Sequence, residues 1–202
     1  NSLAQGGLSQ SAFPLGTQSE DTDERCVSSG CKSLDQLLPA NGFRRGTLTE
    51  WLSEFPGSGA EMLSLIVARQ AMQKGGALVV LDRAGLFYPP AAAGWGVDLE
   101  RLVLIRPQHQ RDERWAVDQA LRCRGVAAVW AVMGRLDGRW FRRFQLAAES
   151  SGCLGLLLRS AKARGMPSWS EIQLQIHPRR SVSSRRMGVE LVRCRGQGSP
   201  GV

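Results

Sequence analysis

The chain alternates between short runs that are wholly apolar and longer stretches in which apolar residues recur every three or four positions. Ala77 to Leu81, Leu102 to Ile105, Val126 to Val132 and Leu154 to Leu158 are continuous and apolar, the pattern of parallel strands covered on both faces. Between them, Met62, Leu63, Leu65, Ile66, Val67, Ala71 and Met72 make a helix face that Lys74-Gly75-Gly76 ends. Trp115 to Leu121 and Phe141 to Ser150 predict two further helices, the second with Phe141, Phe144 and Leu146 turned inward on one of its two readings. Ser33 opens a short amphipathic turn through Leu38, and Thr47 to Leu52 alternates as a strand before a Gly-rich loop. Ile172-Gln173-Leu174-Gln175-Ile176 alternates strictly, which predicts an edge or antiparallel strand with Gly188 to Val192 as its hairpin partner. The sum is an α/β fold with a mostly parallel sheet, helices on both faces and a C-terminal antiparallel hairpin.

The ends differ from this middle. Residues 1–28 carry Ser, Gln, Gly, Asp and Glu with few large apolar groups, and read as a disordered leader. Residues 29–178 form the α/β domain, and residues 179–202 a basic loop followed by a terminal strand and tail. With 202 residues and 43% hydrophobic content, one core is the expectation. There is no apolar run of about 18 residues to span a membrane, and no apolar block behind basic residues to act as a signal peptide. The five cysteines are odd in number and scattered, which fits a reducing, cytoplasmic setting. His109 and His177 stand apart from any cysteine cluster, so neither a metal site nor a cofactor is expected.

The net charge of +8 is unevenly placed. Residues 1–100 hold 7 Lys and Arg against 11 Asp and Glu, whereas residues 101–202 hold 19 against 7. The second half therefore faces anions, either nucleic acid or an acidic protein surface, unless it is only a solvated basic face.

The Gly-rich loop stands where a phosphate-binding loop belongs, between a strand and a helix whose N-terminus can cradle an anion. It reads Glu54-Phe55-Pro56-Gly57-Ser58-Gly59-Ala60-Glu61. With Gly59 set on the second glycine of G-x-x-x-x-G-K-[ST], Glu54 replaces the first glycine, Ala60 the lysine and Glu61 the hydroxyl residue. The lysine neutralises the β- and γ-phosphates and the hydroxyl holds Mg²⁺, so neither task has a residue here. A glutamate a few Å from a polyanion costs about 4 kcal/mol per charge pair even at an effective dielectric of 20. The reading is a loop that keeps its shape in Gly57, Ser58 and Gly59 and has lost its ligand.

These residues resemble the RecA/RadA recombinase core. Ser33 to Leu38, Gly42-Phe43-Arg44-Arg45-Gly46 and Thr49-Glu50 resemble the lead-in to that family's phosphate loop, and Gly96-Val97-Asp98-Leu99 resembles a later turn. Closer still is the ImuA group of RecA-like bacterial proteins. Its marks are a degenerate Gly loop, Phe87-Tyr88-Pro89-Pro90-Ala91, the unit from Arg142 through Gly155 to Arg159, and the closing Glu190 to Gly196. The match to the recombinase core spans roughly residues 31–160. The resemblance implies a protein of the DNA-damage (SOS) response that works with RecA or with an ImuB-like polymerase complex in translesion synthesis. It also implies further losses, since Ala84 stands where the water-orienting acid is expected and Val132-Met133-Gly134 where the Walker B acid is. Asp82 reads as a loop-fixing carboxylate ahead of a metal ligand.

Two basic sets complete the candidates. Arg135, Arg139, Trp140, Arg142 and Arg143 either grip phosphate and stack a base or form a helix whose arginines snorkel outward. Arg179, Arg180, Arg185 and Arg186 flank the hairpin and serve a partner, DNA, or an edge strand's solubility. Trp169 is expected to pack under the hairpin. The leading expectation is a non-catalytic, RecA-like accessory protein; a divergent ATP-dependent recombinase and a SulA-like inhibitor of cell division are the rivals.

Overall fold

The computed structural model describes residues 25–179 and 186–195. The leader as far as residue 24, Arg180, Arg185 and the tail after residue 195 lie outside the described residues, as does the side chain of Arg186. Cys26 and Val27, read as the end of the leader, instead form strand β1 (Cys26–Val27), which pairs antiparallel with β2 (Phe43–Arg44). Buried Val27 gives that pairing its apolar anchor. Helix α1 (Lys32–Leu37) lies between them, and the Asp35 carboxylate accepts from the Ser29 N–H at 2.7 Å and the Ser28 hydroxyl at 2.6 Å.

The main sheet holds β3 (Leu48–Ser53), β4 (Ala77–Leu81), β5 (Leu102–Ile105), β6 (Val126–Val132), β7 (Leu154–Ser160), β8 (Ile172–Arg179) and β9 (Arg186–Cys194), in the order β5-β4-β6-β7-β3-β8-β9. All neighbours are parallel except β8 and β9. Helices α2 (Ala60–Met72) and α3 (Pro89–Gly94) join α1 over one face, where Trp51, Leu78, Val80, Leu154 and Leu174 form the core. Helices α4 (Gln110–Arg122) and α5 (Gly138–Ser151) cover the other, over Leu48, Leu81, Val129 and Leu157. The expected α/β fold, with helices on both faces and a terminal hairpin, is the observed one.

One of the two alternatives for β8 holds, and two local expectations are corrected. β8 is the antiparallel strand of the two alternatives, paired with β9 as its hairpin partner, and it lies parallel to β3 on its other side. Its polar positions alternate because Gln173 donates to buried Glu50 at 3.0 Å and Gln175 accepts from Arg164 at 2.8 Å, so the face is polar without being solvated. Helix α5 begins at Gly138, where the Asp137 carboxylate accepts from the Trp140 N–H at 2.9 Å, an N-cap of the usual kind. Leu146 is 45% exposed and does not turn inward. Phe141 and Phe144, three apart, share the buried stripe, and Leu146, five on from Phe141, comes round to the solvent side.

Candidate partner and nucleic-acid interface

The Gly loop leaves β3 at the carboxyl edge of the parallel sheet, where ligands of open α/β sheets bind. Gly57 (φ +83°) and Gly59 (φ +107°) hold the left-handed backbone that a phosphate cradle uses, and Gly59 caps α2. The space above them belongs to this chain. The Gly57 N–H reaches the Glu61 carboxylate at 3.4 Å, so the helix's own acid sits at its positive end. A Cβ on Gly59 would overlap the thioether of Met187, which β9 brings over the loop. Ala60 is fully buried. The Ser58 hydroxyl and one Glu61 oxygen are buried and have no hydrogen-bond partner among the described residues. Glu54 turns away toward His177, 3.8 Å distant.

Asp82 ends β4 and is buried beneath the next loop. Its two oxygens accept from the Leu86 and Phe87 N–H groups at 2.9 Å each, and Arg106 Nε lies 3.4 Å away. This is the loop-fixing role. Among the described residues, no three His, Cys, Asp or Glu side chains converge as a metal site does. Ala84 is exposed in that loop, and Val132, at the end of β6, is 47% exposed.

The predicted basic set gathers at the start of α5. Arg143 donates to the fully buried Asp118 carboxylate of α4 at 2.8 Å and stacks over Trp140 at 5.3 Å, with Arg114 over the same ring at 5.8 Å. Arg142 lies over Trp169 at 4.8 Å, and Arg195 lies over it at 4.4 Å. Trp169 therefore packs beside α5, with the arginine that follows β9 over its ring. Burial pushes the Asp118 carboxyl up, but the hydrogen bonds and charges of Arg143 and Arg122 prevail and hold it below the usual aspartate value. The same bond raises the Arg143 guanidinium. Arg142, Arg143 and Trp140 are thus engaged within the chain, and each ring has a cation against it. Arg135 and Arg139 are exposed and make no side-chain hydrogen bond or ion pair to a described residue. Arg179 stands elsewhere, at the end of β8 facing Arg186 in the register of the hairpin.

A buried cluster escaped the sequence reading. Glu50 on β3 pairs with Arg159 on β7, both buried, and accepts from the Ser170 hydroxyl at 2.9 Å. The guanidinium of Arg159 lies over the Phe141 ring at 5.2 Å. The polar alternation of β8 was its one sequence signal.

No family model matches the chain. Among known proteins, the ImuA protein of Caulobacter vibrioides is 30% identical over 201 aligned residues, covering 87% of this chain and 80% of that protein. The RecA protein of Rhodopirellula baltica is 28% identical over 117 residues, covering 58% of this chain and 31% of RecA. The mitochondrial DNA repair protein recA homolog of Dictyostelium discoideum is 30% identical over 115 residues, covering 57% of this chain and 25% of its own.

Proposed function

The chain belongs to the ImuA family of RecA-related proteins, and from that premise we propose that it is a non-catalytic accessory protein of DNA repair. It supports damage-induced, error-prone translesion synthesis in the cytoplasm by binding RecA, an ImuB-like polymerase complex, or both. The observation that carries this reading is the Gly loop, whose backbone keeps a phosphate cradle while Glu61 and Met187 of the same chain fill it. A scaffold so filled offers its surface instead of a reaction. The test is ATP turnover by the purified full chain with single-stranded DNA, alongside binding to immobilised RecA. We expect no DNA-stimulated turnover and saturable RecA binding; robust turnover abolished by a change at Gly59 would overturn the reading in favour of a divergent recombinase. Capture of a cell-division protein in place of RecA would favour the inhibitor reading.

Direct DNA contact is carried by Arg135 and Arg139, whose guanidiniums are not spent on internal carboxylates. Loss of both should weaken binding to single-stranded DNA and reduce its salt dependence by about two phosphate contacts. Arg142 and Arg143 belong to the fold more than to the ligand, and their replacement should lower stability first.

A further inference from the structure

Leu86-Phe87-Tyr88 is a run of three large apolar residues that the proposed role leaves unexplained. In an extended segment, successive side chains point to opposite sides. Phe87 goes inward, its ring 5.5 Å from that of Trp130, and its two neighbours go outward: Leu86 is 77% and Tyr88 67% exposed. This exposure is built. Asp82 holds the N–H groups of Leu86 and Phe87, and the prolines at the first positions of α3 fix the chain beyond Tyr88. A segment already ordered loses little freedom on binding, and Tyr beside Arg is the composition of a binding hot spot.

Two guanidiniums are tied to the same loop, Arg83 at its start and Arg106 on the Asp82 carboxylate that holds the Leu86 and Phe87 N–H groups. Arg83 Nε meets the buried Glu113 carboxylate at 3.3 Å, and Arg106 Nε meets Asp82 at 3.4 Å. Both side chains are about half exposed, while the carboxylates beneath are buried. Neither guanidinium has a further hydrogen bond to a described residue. A partner that meets the apolar knuckle therefore approaches a loop whose arginine donors are oriented by buried carboxylates. We propose that Leu86 and Tyr88 form a docking site for a protein segment that combines apolar side chains with carboxylates. The site deepens the partner-binding role and rests on it.

The test uses the full chain and a labelled 12-residue synthetic peptide of alternating Leu and Glu, with Lys-for-Glu and Ala-for-Leu versions as controls, followed by fluorescence anisotropy. Saturable binding of the Leu/Glu peptide is expected, weakened about tenfold or more by Leu86→Ser with Tyr88→Ser and about fivefold by Arg83→Gln or Arg106→Gln. Both control peptides should fail to bind. Equal binding to the double variant, binding of the Lys peptide as tight as that of the Glu peptide, or no binding to the unaltered chain would overturn the site. The two proposals can fail separately. ATP turnover by a protein that still binds the peptide through Leu86 and Tyr88 removes the non-catalytic role and leaves the site. Capture of RecA by a protein that ignores the peptide removes the site and leaves the role.

Discussion

The loop after β3 and the loop after β4 leave the same edge of the sheet, and each is closed on a carboxylate of this chain, with opposite results. After β3, two glycines set the backbone and Glu61 answers it poorly: one N–H at 3.4 Å, with a Ser58 hydroxyl and a Glu61 oxygen left over among the described residues. After β4, Asp82 sets the backbone itself, with two bonds of 2.9 Å and an arginine alongside. The first loop keeps glycine geometry while its own acid is left poorly satisfied. The second has kept an acid and uses it to aim side chains. Which of two such loops orders its neighbours is therefore read from how well its polar groups are satisfied, and not from which motif residues remain.

The comparison breaks most sharply at Asp82. Asp82→Ala leaves two backbone N–H groups without an acceptor, and we expect a loss of about 3 kcal/mol in unfolding free energy by urea titration. A loss under about 1 kcal/mol would mean the loop is held by Phe87 alone. The next test is pH. Burial pushes the carboxyl of Glu113, the partner of Arg83, above the ordinary glutamate value, outweighing Arg83 itself. Folded protein then holds that proton more tightly than unfolded protein, so this stabilisation is full below the ordinary value and is lost as pH rises through the raised one. Glu113→Gln should flatten that decline in thermal unfolding scans. Asp118, on the same helix, has the reverse sign: its depressed carboxyl stabilises above the ordinary aspartate value, and that contribution fades as pH falls through the lower folded one.

The Gly loop should respond less. Glu61→Ala removes one long hydrogen bond and a charge at a helix N-terminus, and about 0.5 kcal/mol is expected. Ala60→Lys with Glu61→Thr should still give no saturable ATP binding by calorimetry while Met187 covers Gly59. Binding by that double variant would show that the thioether is no obstacle. Least of all, Leu86→Ser with Tyr88→Ser should change unfolding free energy by no more than about 0.5 kcal/mol, since both side chains already face water.

Much of the fold was legible because burial on both faces leaves a plain mark: Ala77 to Leu81 and Val126 to Val132 have almost no polar residue to misread. The errors fall where a polar residue is buried by a partner far along the chain. Gln173 and Gln175 look solvated until Glu50 and Arg164 are placed beside them. Helix α4 was read from Trp115, but it starts at Gln110, because its first turn buries Glu113 against Arg83 where periodicity expects an apolar residue. The start of α5 could have been read from Asp137, three residues ahead of Trp140. The degenerate positions of the Gly loop were visible as residue types. That Met187 covers the loop, and that Trp169 is clasped by Arg142 and Arg195, depends on contacts no local pattern contains.

β3, with β7 on one side and β8 on the other, also sets a timetable for synthesis. Glu50 meets Arg159, Ser170 and Gln173 only across 109, 120 and 123 residues of chain. At about 5–20 residues per second, a strand carrying Leu48, Trp51 and Leu52 waits several seconds or more on the ribosome for the neighbours that cover it. Non-local pairing of this kind is slow and leaves apolar strand edges open to other chains meanwhile. The first core strand to be made is among the last to be sealed, so chaperone dependence and yield in the cell should follow the fate of β3.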